Sequence, residues 1–456
     1  MKTLFIFRRD LRTYDNTTLN ILKSKYPKAD ILPIFIFNKN QINEDVNKYY
    51  SRNAAQFLFE SLEELDFMNY YYTDNDITIL NQLYKKFKFD VIAYNKDYTP
   101  YAKKRDNDIN IWANDKKIEV IAEEDYTLHN MGEITKDNKE PYLKFTPFYK
   151  KSILKKPRSI NSNKTFNFIK DNDNNDNDNN NNNNDYKKIE FLKPPLNKYL
   201  NVNGGREKGL LILQKLKFGK FDNYDNERDY PYLDKTTKLS AYIKFGCLSI
   251  REIYFSLPIT HGIVRELYWH DFYAIITYYF PYVLQGQSFI KKYQKIKWND
   301  NNDLLEKWKN GLTGFPLIDA AMRQLKICGW MHNRCRMVVA SFLVKNLLID
   351  WRKGEEHFAK SLVDYDPSSN NGGWQWCAST GTDSQPYFRI FSPTLQMKKY
   401  DNKCEYIKKW IPELKDVANS IILNWETKQY PNIKYPYPIV NIKETSKLFI
   451  KTFKEI

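Results

Sequence analysis

The first 130 residues alternate short apolar runs with amphipathic stretches. Runs rich in β-branched and aromatic residues predict strands at 3–7, 31–37, 90–94 and 118–122. Apolar residues at helical spacing between them predict helices over 52–66 and 101–114. Almost continuously apolar strands that alternate with helices are typical of a parallel sheet covered on both faces. This half is therefore predicted to be a doubly wound α/β domain.

After residue 200, apolar residues recur at i, i+3 and i+4, the spacing of one helix face. This spacing predicts helices over 237–257, 263–280, 317–328, 333–348 and 355–362. The segment 364–383 breaks the pattern because it is polar and contains Gly372, Gly373 and two tryptophans. Since glycine permits close approach of the backbone, we expect a loop here that is shaped around a ligand. The second half is otherwise predicted to be helical.

An Asn/Asp segment at 171–185 separates the two patterns. It has no apolar residue that could offset the entropy of ordering it, so it is predicted to be disordered. A self-associating Asn-rich tract is the alternative, which the short length and the interspersed Asp disfavour. The chain is expected to divide into an α/β domain at 1–130, an interdomain linker at 131–200 and a helical domain at 201–456.

Composition restricts the classes of partner. Lys and Arg outnumber Asp and Glu by 71 to 55, a net charge of +16, which favours a polyanionic partner. The five cysteines are an odd number without CxxC spacing, so we expect reduced thiols and no metal site. No apolar run is long enough for a membrane span, and the N-terminal run is too short for a secretory signal. We therefore expect an intracellular protein that does not contact membranes.

The candidate chemistry lies in the helical half. Glu266 and Trp269 are one helical turn apart, and Asn333, Arg336 and Met337 share a face of another predicted helix. A carboxylate, an indole, an amide and a thioether can thus converge on one flat ligand. Each residue alone also fits an ordinary role as a core filler, a cap or a surface ion pair. The first half has no GxGxxG or Walker loop, so a conventional nucleotide site is not predicted there.

Seven contiguous motifs give the chain a recognisable signature: FRRDLR, TTKLSAYIKFGCLS, RELYWHDFY, GFPLIDAAMRQL, GWMHNRCRM, NNGGWQWCASTGTD and PYFRIF. With these motifs the chain resembles the photolyase/cryptochrome family over nearly its whole length, apart from the Asn-rich segment and the C-terminal tail. The resemblance implies an α/β antenna domain and an all-α domain that binds FAD in a folded conformation. The active cofactor would be the reduced, anionic flavin. Many members also carry a second, light-harvesting chromophore in the α/β domain.

The resemblance also assigns flavin contacts position by position. They are Tyr224, Thr236, Thr237, Lys238, Leu239, Ser240, Arg336, Asp364, Tyr365, Asp366 and Asn370. The hydroxyls and N–H groups of 236–240 would meet the phosphates. Arg336 would pair with Asp364, and Asn370 would face the flavin N5.

Residues that resemble the lesion pocket indicate the subtype. Members that repair (6-4) lesions carry two histidines four residues apart, where this chain has Asn333 and Met337. The resemblance therefore implies a class I enzyme that cleaves cyclobutane pyrimidine dimers. The implied catalytic residues are Glu266, Asn333, Met337, Trp269 and Trp376. A protonated Glu266 would hydrogen-bond the dimer carbonyl, and the apolar side chains would form flat walls.

Photolyases act on bases taken out of the stack, so UV-damaged DNA is the implied partner. The implied DNA contacts are Arg228, Glu266, Trp269, Tyr273, Asn333, Arg334 and Gln396. Trp298, Trp351 and Trp374 fall at the positions of the family's electron relay. We expect a monomer.

The chain departs from the family pattern at two positions. His270 stands where the family usually has Arg, which would make that contact weaker and pH-dependent. Lys96 stands where folate-binding members have an acidic residue, which leaves a deazaflavin, another flavin or an empty antenna site. A cryptochrome that binds FAD and signals without repair is the alternative function, and repair restricted to single strands is a further one.

Overall fold

The computed structural model describes residues 1–161, 165–171, 185–428 and 430–456. Apart from its two end residues, the segment 171–185, predicted to be disordered, lies outside the described residues. Within the described ranges, no helix combines the length and the apolarity needed to cross a membrane.

A parallel sheet forms the core of the first half. Its strands are β1 (Lys2–Phe7), β2 (Asp30–Asn38), β3 (Asn69–Thr73), β4 (Val91–Asn95), β5 (Glu119–Glu123) and β6 (Asn167–Phe168). The order is β3-β2-β1-β4-β5, and β6 pairs with the first residues of β2. The central β1 is fully buried after its first residue, as expected for a sheet covered on both faces. The predicted doubly wound domain is therefore confirmed.

Helices cover both faces of this sheet. They are α1 (Thr17–Lys25), α2 (Lys39–Ile42), α3 (Arg52–Leu62), α4 (Asp76–Phe87) and α5 (Pro100–Asp115). The sequence pattern predicted α3 and α5 but not α1 and α4. In α1 the buried face includes the polar Thr18 and Asn20, which weakens the apolar periodicity.

The second half is helical. Its helices are α6 (Phe145–Ser152), α7 (Arg206–Lys217), α8 (Tyr224–Glu227), α9 (Ser240–Lys244), α10 (Ile250–Tyr254), α11 (Gly262–Tyr279), α12 (Asn302–Asn310), α13 (Pro316–Cys328), α14 (Asn333–Ser341), α15 (Trp351–Ser361), α16 (Pro367–Ala378), α17 (Pro393–Tyr400), α18 (Glu405–Trp410), α19 (Asn419–Ile422) and α20 (Ile442–Lys454). Short 3₁₀ turns occupy Asp185–Leu192, Pro231–Leu233, Pro281–Gln285, Lys291–Lys295 and Pro412–Leu414, and a π-helical turn, Phe342–Asn346, follows α14.

The helix predicted over 237–257 is two short helices, α9 and α10. Gly246 lies between them with φ +66°, and a Cβ at this position would lie 2.2 Å from the Arg9 carbonyl oxygen. The break lets the loop after β1 approach the helical half. A continuous helix would exclude that contact.

The expectation of a loop over 364–383 is wrong, because α16 fills most of it. Asp366 caps this helix by accepting a hydrogen bond from Ser369 N at 2.9 Å, and Pro367 takes the first helical position. A Cβ on Gly372 would lie 2.1 Å from the Tyr273 ring, whereas one on Gly373 would meet nothing within 4 Å. Gly372 therefore allows α16 to pack closely against Tyr273, and Gly373 leaves open space beside the helix.

Buried ion pairs join the two halves. Arg251 of α10 donates to Asp15 Oδ2 and to Asp125 Oδ1 of the sheet half, each at 2.9 Å. Arg12 donates to the other Asp125 oxygen at 2.6 Å. All four side chains are almost fully buried. The halves therefore share one charged interior.

Candidate functional site

A cavity of about 590 Å³ opens in the helical half. Every residue predicted to be catalytic or to contact the flavin lines it, together with Arg228, Tyr273, Arg334 and Trp374. Gln396, Trp298 and Trp351 are not among the lining residues. This volume lies in the range of small-molecule sites.

One wall of the cavity is a face of α11. Glu266, Trp269 and Tyr273 lie three and four residues apart and point into the same space. The Phe145 ring of α6 stacks on the Trp269 indole with 3.6 Å between ring centroids and 6° between planes. Sequence reasoning missed Phe145, which lies in the segment expected to be a linker.

The facing wall comes from α14 and α16. Asn333 and Met337 are one turn apart on α14, and Trp376 projects from α16. His332 caps α14 by accepting from Arg334 N at 3.2 Å. Burial lowers the pKa of His332 to about 4, so this ring is neutral at pH 7.

An ion pair between α14 and the start of α16 orders one end of the cavity. Arg336 Nη2 donates to both oxygens of Asp364, at 2.9 and 3.1 Å, which is the expected pairing. Ser240 Oγ donates to the same carboxylate at 2.7 Å. Asp364 is thus held by groups from two different elements.

Asp366 is held by a residue of the sheet half. Arg9, in the loop after β1, donates to Asp366 Oδ2 at 2.7 Å, and its guanidinium lies 3.8 Å from Asp97 and over the Tyr126 ring. Burial alone would raise the pKa of Asp366, but Arg9, with a smaller effect from His270, holds it well below its usual range. The sequence alone did not connect Arg9 with this site.

Glu266 forms an ion pair at the rim of the cavity. Arg228 Nη1 donates to Glu266 Oε1. The Arg228 and Glu266 side chains are 32% and 33% exposed. This exposed surface faces the cavity, which both residues line. Burial raises the pKa of Glu266, and Arg228 opposes that rise without cancelling it. The adjacent Arg265 places its guanidinium over the Phe145 ring, 5.6 Å from the centroid.

Several polar groups around the cavity lack a protein partner. Thr236 Oγ1 and His270 Nε2 are buried without a hydrogen bond among the described residues. Lys244 also lines the cavity, one turn after Ser240, and burial together with Arg9 lowers the pKa of its ammonium to about 7. Gly373 also lines the cavity, and a Cβ there would meet no atom within 4 Å. These groups can serve a polar, anionic ligand.

The remaining rim cation is also paired. Arg334 Nη2 lies 2.7 Å from Asp229 Oδ1, and its guanidinium lies over the Tyr400 ring. Gln396, on α17, is partly buried outside the cavity lining, and its Oε1 has no partner among the described residues.

The three relay tryptophans belong to one apolar cluster. Trp374 lines the cavity, Trp351 is fully buried at the start of α15, and Trp298 is partly exposed. Gly354 makes room for Trp374, since a Cβ there would lie 2.2 Å from the indole. Trp308, which sequence reasoning did not single out, lies 6.1 Å from Trp374 between ring centroids.

Aromatic and charged side chains make up much of the cavity lining. Within the described part of the chain, no group of three or more His, Cys, Asp or Glu side chains is arranged to hold a metal ion. The cavity combines aromatic walls and paired carboxylates with the Thr236 hydroxyl, the Nε2 atom of His270 and the Lys244 ammonium. This set suits a flat cofactor with a charged tail.

The chain thus combines a parallel-sheet domain with a helical domain, and its cavity is of the kind that binds an organic cofactor. Two family models match this chain: DNA photolyase over residues 3–161, and the FAD binding domain of DNA photolyase over 263–455. The chain belongs to the photolyase/cryptochrome family.

Individual relatives agree with this assignment. The deoxyribodipyrimidine photo-lyase of Buchnera aphidicola is 36% identical over 100% of this chain and 97% of its own length. The crystal structure of an archaeal photolyase from Sulfolobus tokodaii, with two FAD molecules, is 35% identical, with TM-score 0.85 over 100% of both chains. A cryptochrome of Synechocystis sp. PCC6803 has TM-score 0.85 at 24% identity, covering 99% of each chain. That last likeness concerns the fold alone.

Proposed function

We propose that this protein is a class I deoxyribodipyrimidine photo-lyase that uses light to split cyclobutane pyrimidine dimers in DNA. The observation that carries the proposal is the single cavity in which Glu266, Asn333 and Met337 meet the candidate flavin contacts. Relatives that align over nearly the full chain bear the name of this enzyme.

The residues present fit FAD. Gly373 leaves space that a Cβ would enter, and the unpartnered Thr236 hydroxyl lies in the segment proposed to meet the phosphates. Asp364 and Asp366 would face the flavin ring with Tyr365 beside them, and Asn370 would present its amide. When bound, reduced FAD supplies light-driven transfer of one electron to the lesion.

The chain's own residues hold and polarise the lesion. Trp269 and Trp376 would sandwich the extruded pyrimidines, and Met337 would fill the apolar wall between them. A neutral Glu266 would donate a hydrogen bond to a pyrimidine carbonyl that gains negative charge, with Asn333 on the opposite wall. Because no histidine pair stands at 333 and 337, the proton chemistry of (6-4) repair is not supported.

DNA would reach the cavity over its basic rim. Arg228 and Arg334 would contact phosphates with Gln396 nearby, and Tyr273 would lie below the lesion. The net charge of +16 supports a polyanionic partner. A monomer is sufficient for this function, since one chain contributes the whole cavity.

Two further elements complete the proposal. Trp374, Trp351 and Trp298 would carry electrons from the surface to an oxidised flavin. A second flavin is the antenna we favour, because the Sulfolobus tokodaii relative is described with two FAD molecules and Lys96 disfavours folate. Extraction and chromatography of the bound chromophores identify it.

The decisive experiment is repair under blue light. The purified, reduced protein is illuminated with duplex and single-stranded oligonucleotides that carry a thymine dimer, and with a duplex that carries a (6-4) lesion. We expect loss of the dimer and no change in the (6-4) lesion. FAD binding without loss of dimers in either strand form would favour a cryptochrome.

Two variants separate the proposed roles within the pocket. Glu266→Ala should lower the quantum yield of repair with a modest loss of binding. Trp269→Ala should mainly weaken binding of damaged DNA, because it removes a stacking surface. An unchanged quantum yield in Glu266→Ala contradicts the role assigned to that carboxyl.

A further inference from the structure

The structure joins two residues that the proposed function uses separately. Arg228, a candidate phosphate contact, donates to Glu266, the candidate donor to the lesion. Arg228 comes directly after α8, whereas Glu266 projects from α11. The rim cation Arg228 is therefore the counterion of the carboxyl that is meant to face the dimer.

Groups from both packed elements act on Glu266. On the α8 side these are Arg228, Asp225 and Tyr224, and on α11 they are Arg265 and Tyr273. Burial favours the neutral acid, and Arg228 is the largest influence in favour of the ionised form. The charge of Glu266 thus depends on where the Arg228 side chain lies.

Two other arginines of the cavity lining have carboxylate partners of their own. Arg334 is held by Asp229, and Arg336 by Asp364. Neither of these pairs includes Glu266. Removal of Arg228 would leave Glu266 without its main counterion.

We propose that DNA binding switches Glu266 from an ionised partner of Arg228 to a neutral hydrogen-bond donor for the lesion. A DNA phosphate takes the guanidinium, which breaks the ion pair, and one proton from solvent then binds the Glu266 carboxylate. The O–H bond is the only covalent bond that forms. This inference rests on the proposed function and deepens it.

Three physical effects act in the same direction. Loss of Arg228 removes the charge that stabilises the carboxylate, and nearby phosphates add negative potential. A dimer that fills the cavity also excludes water from Glu266. Each effect favours protonation, so the donor form appears when the lesion is in place.

Protonation changes the interaction of Glu266 with the lesion from repulsive to attractive. An ionised Glu266 would repel a pyrimidine carbonyl that acquires negative charge, whereas the neutral acid donates a hydrogen bond to it. The ion pair with Arg228 satisfies a carboxyl and a guanidinium that would otherwise be poorly solvated.

Proton uptake on binding tests the switch without light. Isothermal titration calorimetry with a duplex that carries one thymine dimer is performed at pH 7 in buffers of different ionisation enthalpy. We expect about one proton taken up by the unaltered protein and almost none by Glu266→Gln. Arg228→Met should take up less, because its Glu266 already lacks the cation that favours the ionised form.

A control variant identifies the source of the proton. Asp229→Asn, in the matched carboxylate–arginine pair, should retain the uptake. The dissociation constant should also rise by about tenfold per pH unit where a full proton is taken up, and Glu266→Gln should flatten this dependence.

Different outcomes would contradict the Glu266 protonation switch and the proposed repair function. Equal proton counts in the unaltered protein and in Glu266→Gln, with repair intact, overturn the switch alone, as does loss of uptake in Asp229→Asn. Failure to prefer damaged over undamaged duplex, together with no repair under light, overturns the proposed function.

Discussion

Phe145 and Trp269 form a parallel stack in which the ring centroids are 3.6 Å apart. Phe145 belongs to α6, and its backbone N–H donates to Asp383 Oδ2 at 3.1 Å. The indole proposed to hold the lesion is therefore supported by the stacked ring of α6.

Replacement of Phe145 should loosen Trp269 without touching DNA. Since an aromatic pair contributes about 0.5–1.5 kcal/mol, Phe145→Ala should weaken binding of a dimer-containing duplex by about two- to tenfold. Fluorescence anisotropy measures this, with undamaged duplex as the reference. Phe145→Tyr, which keeps the stack, should bind normally, and equal affinity of the Ala variant would show that the stack does not position Trp269.

The Arg9–Asp366 ion pair should tune the flavin from the sheet half. Arg9→Gln leaves a negative carboxylate without its cation, so FAD should bind about tenfold more weakly. The flavin midpoint potential should also move to more negative values, because the uncompensated charge disfavours an anionic reduced flavin. Fluorimetric titration and potentiometry measure the two effects.

A remote ion pair provides the control for Arg9. Arg323 lies 2.7 Å from Glu413, outside the cavity lining, and Arg323→Gln should change neither property. Arg9→Lys should recover most of the potential. An unchanged affinity and potential in Arg9→Gln would assign Arg9 to structure alone.

The adjacent glycines of α16 should respond differently. Gly372→Ala places a Cβ 2.1 Å from the Tyr273 ring, so it should lower the melting temperature. Gly373→Leu points into open space and improves helix propensity by about 0.5–1 kcal/mol, so the fold should persist while FAD content falls. Thermal unfolding and the flavin absorbance of each purified variant decide this, and full FAD content in Gly373→Leu contradicts the placement of the cofactor.

Glu355 should make stability depend on pH. Burial raises its pKa to about 7, although Asn371 Nδ2 donates to it at 3.0 Å. The folded protein therefore binds the proton of the Glu355 carboxyl more tightly than the unfolded chain does. As a result, the free energy of unfolding falls as the pH rises from about 4.5 to 7, and it does not change further above pH 7.

Replacement of the Glu355 carboxyl should restore the stability that is lost at high pH. Glu355→Gln should be more stable than the unaltered protein at pH 8, by roughly 3 kcal/mol at most, and the two should converge below pH 4.5. Urea titrations at several pH values measure the difference. A difference that does not vary with pH would mean that Glu355 titrates normally.

Much of the fold follows from periodicity. The strand pattern and helices such as α11 and α13 were predicted closely, because apolar residues make up most of their buried faces. The strand β3, with sequence NYYYT, was missed because polar and aromatic residues obscure its alternation. The helix α16 was read as a loop because its glycines and asparagines are poor helix formers, and the Tyr273 ring that requires Gly372 is a tertiary neighbour.

The site was predicted through motifs rather than through geometry. The motif residues do line one cavity, yet the partners that set their charge could not be found from spacing. Arg9 is 357 residues from Asp366, and Arg228 is 38 residues from Glu266. Phe145 carries no sequence signal at all, since its role depends only on where α6 packs.

The buried ion pairs of Arg251 with Asp15 and Asp125 should make the two halves unfold together. Separating the halves would leave these groups facing low-dielectric surfaces without counterions, at a cost of several kcal/mol. Calorimetry should therefore record a single endotherm, and neither half expressed alone should give a sharp melting transition. In evolution, the sheet half would then be exchanged only together with the aspartates that pair with Arg251.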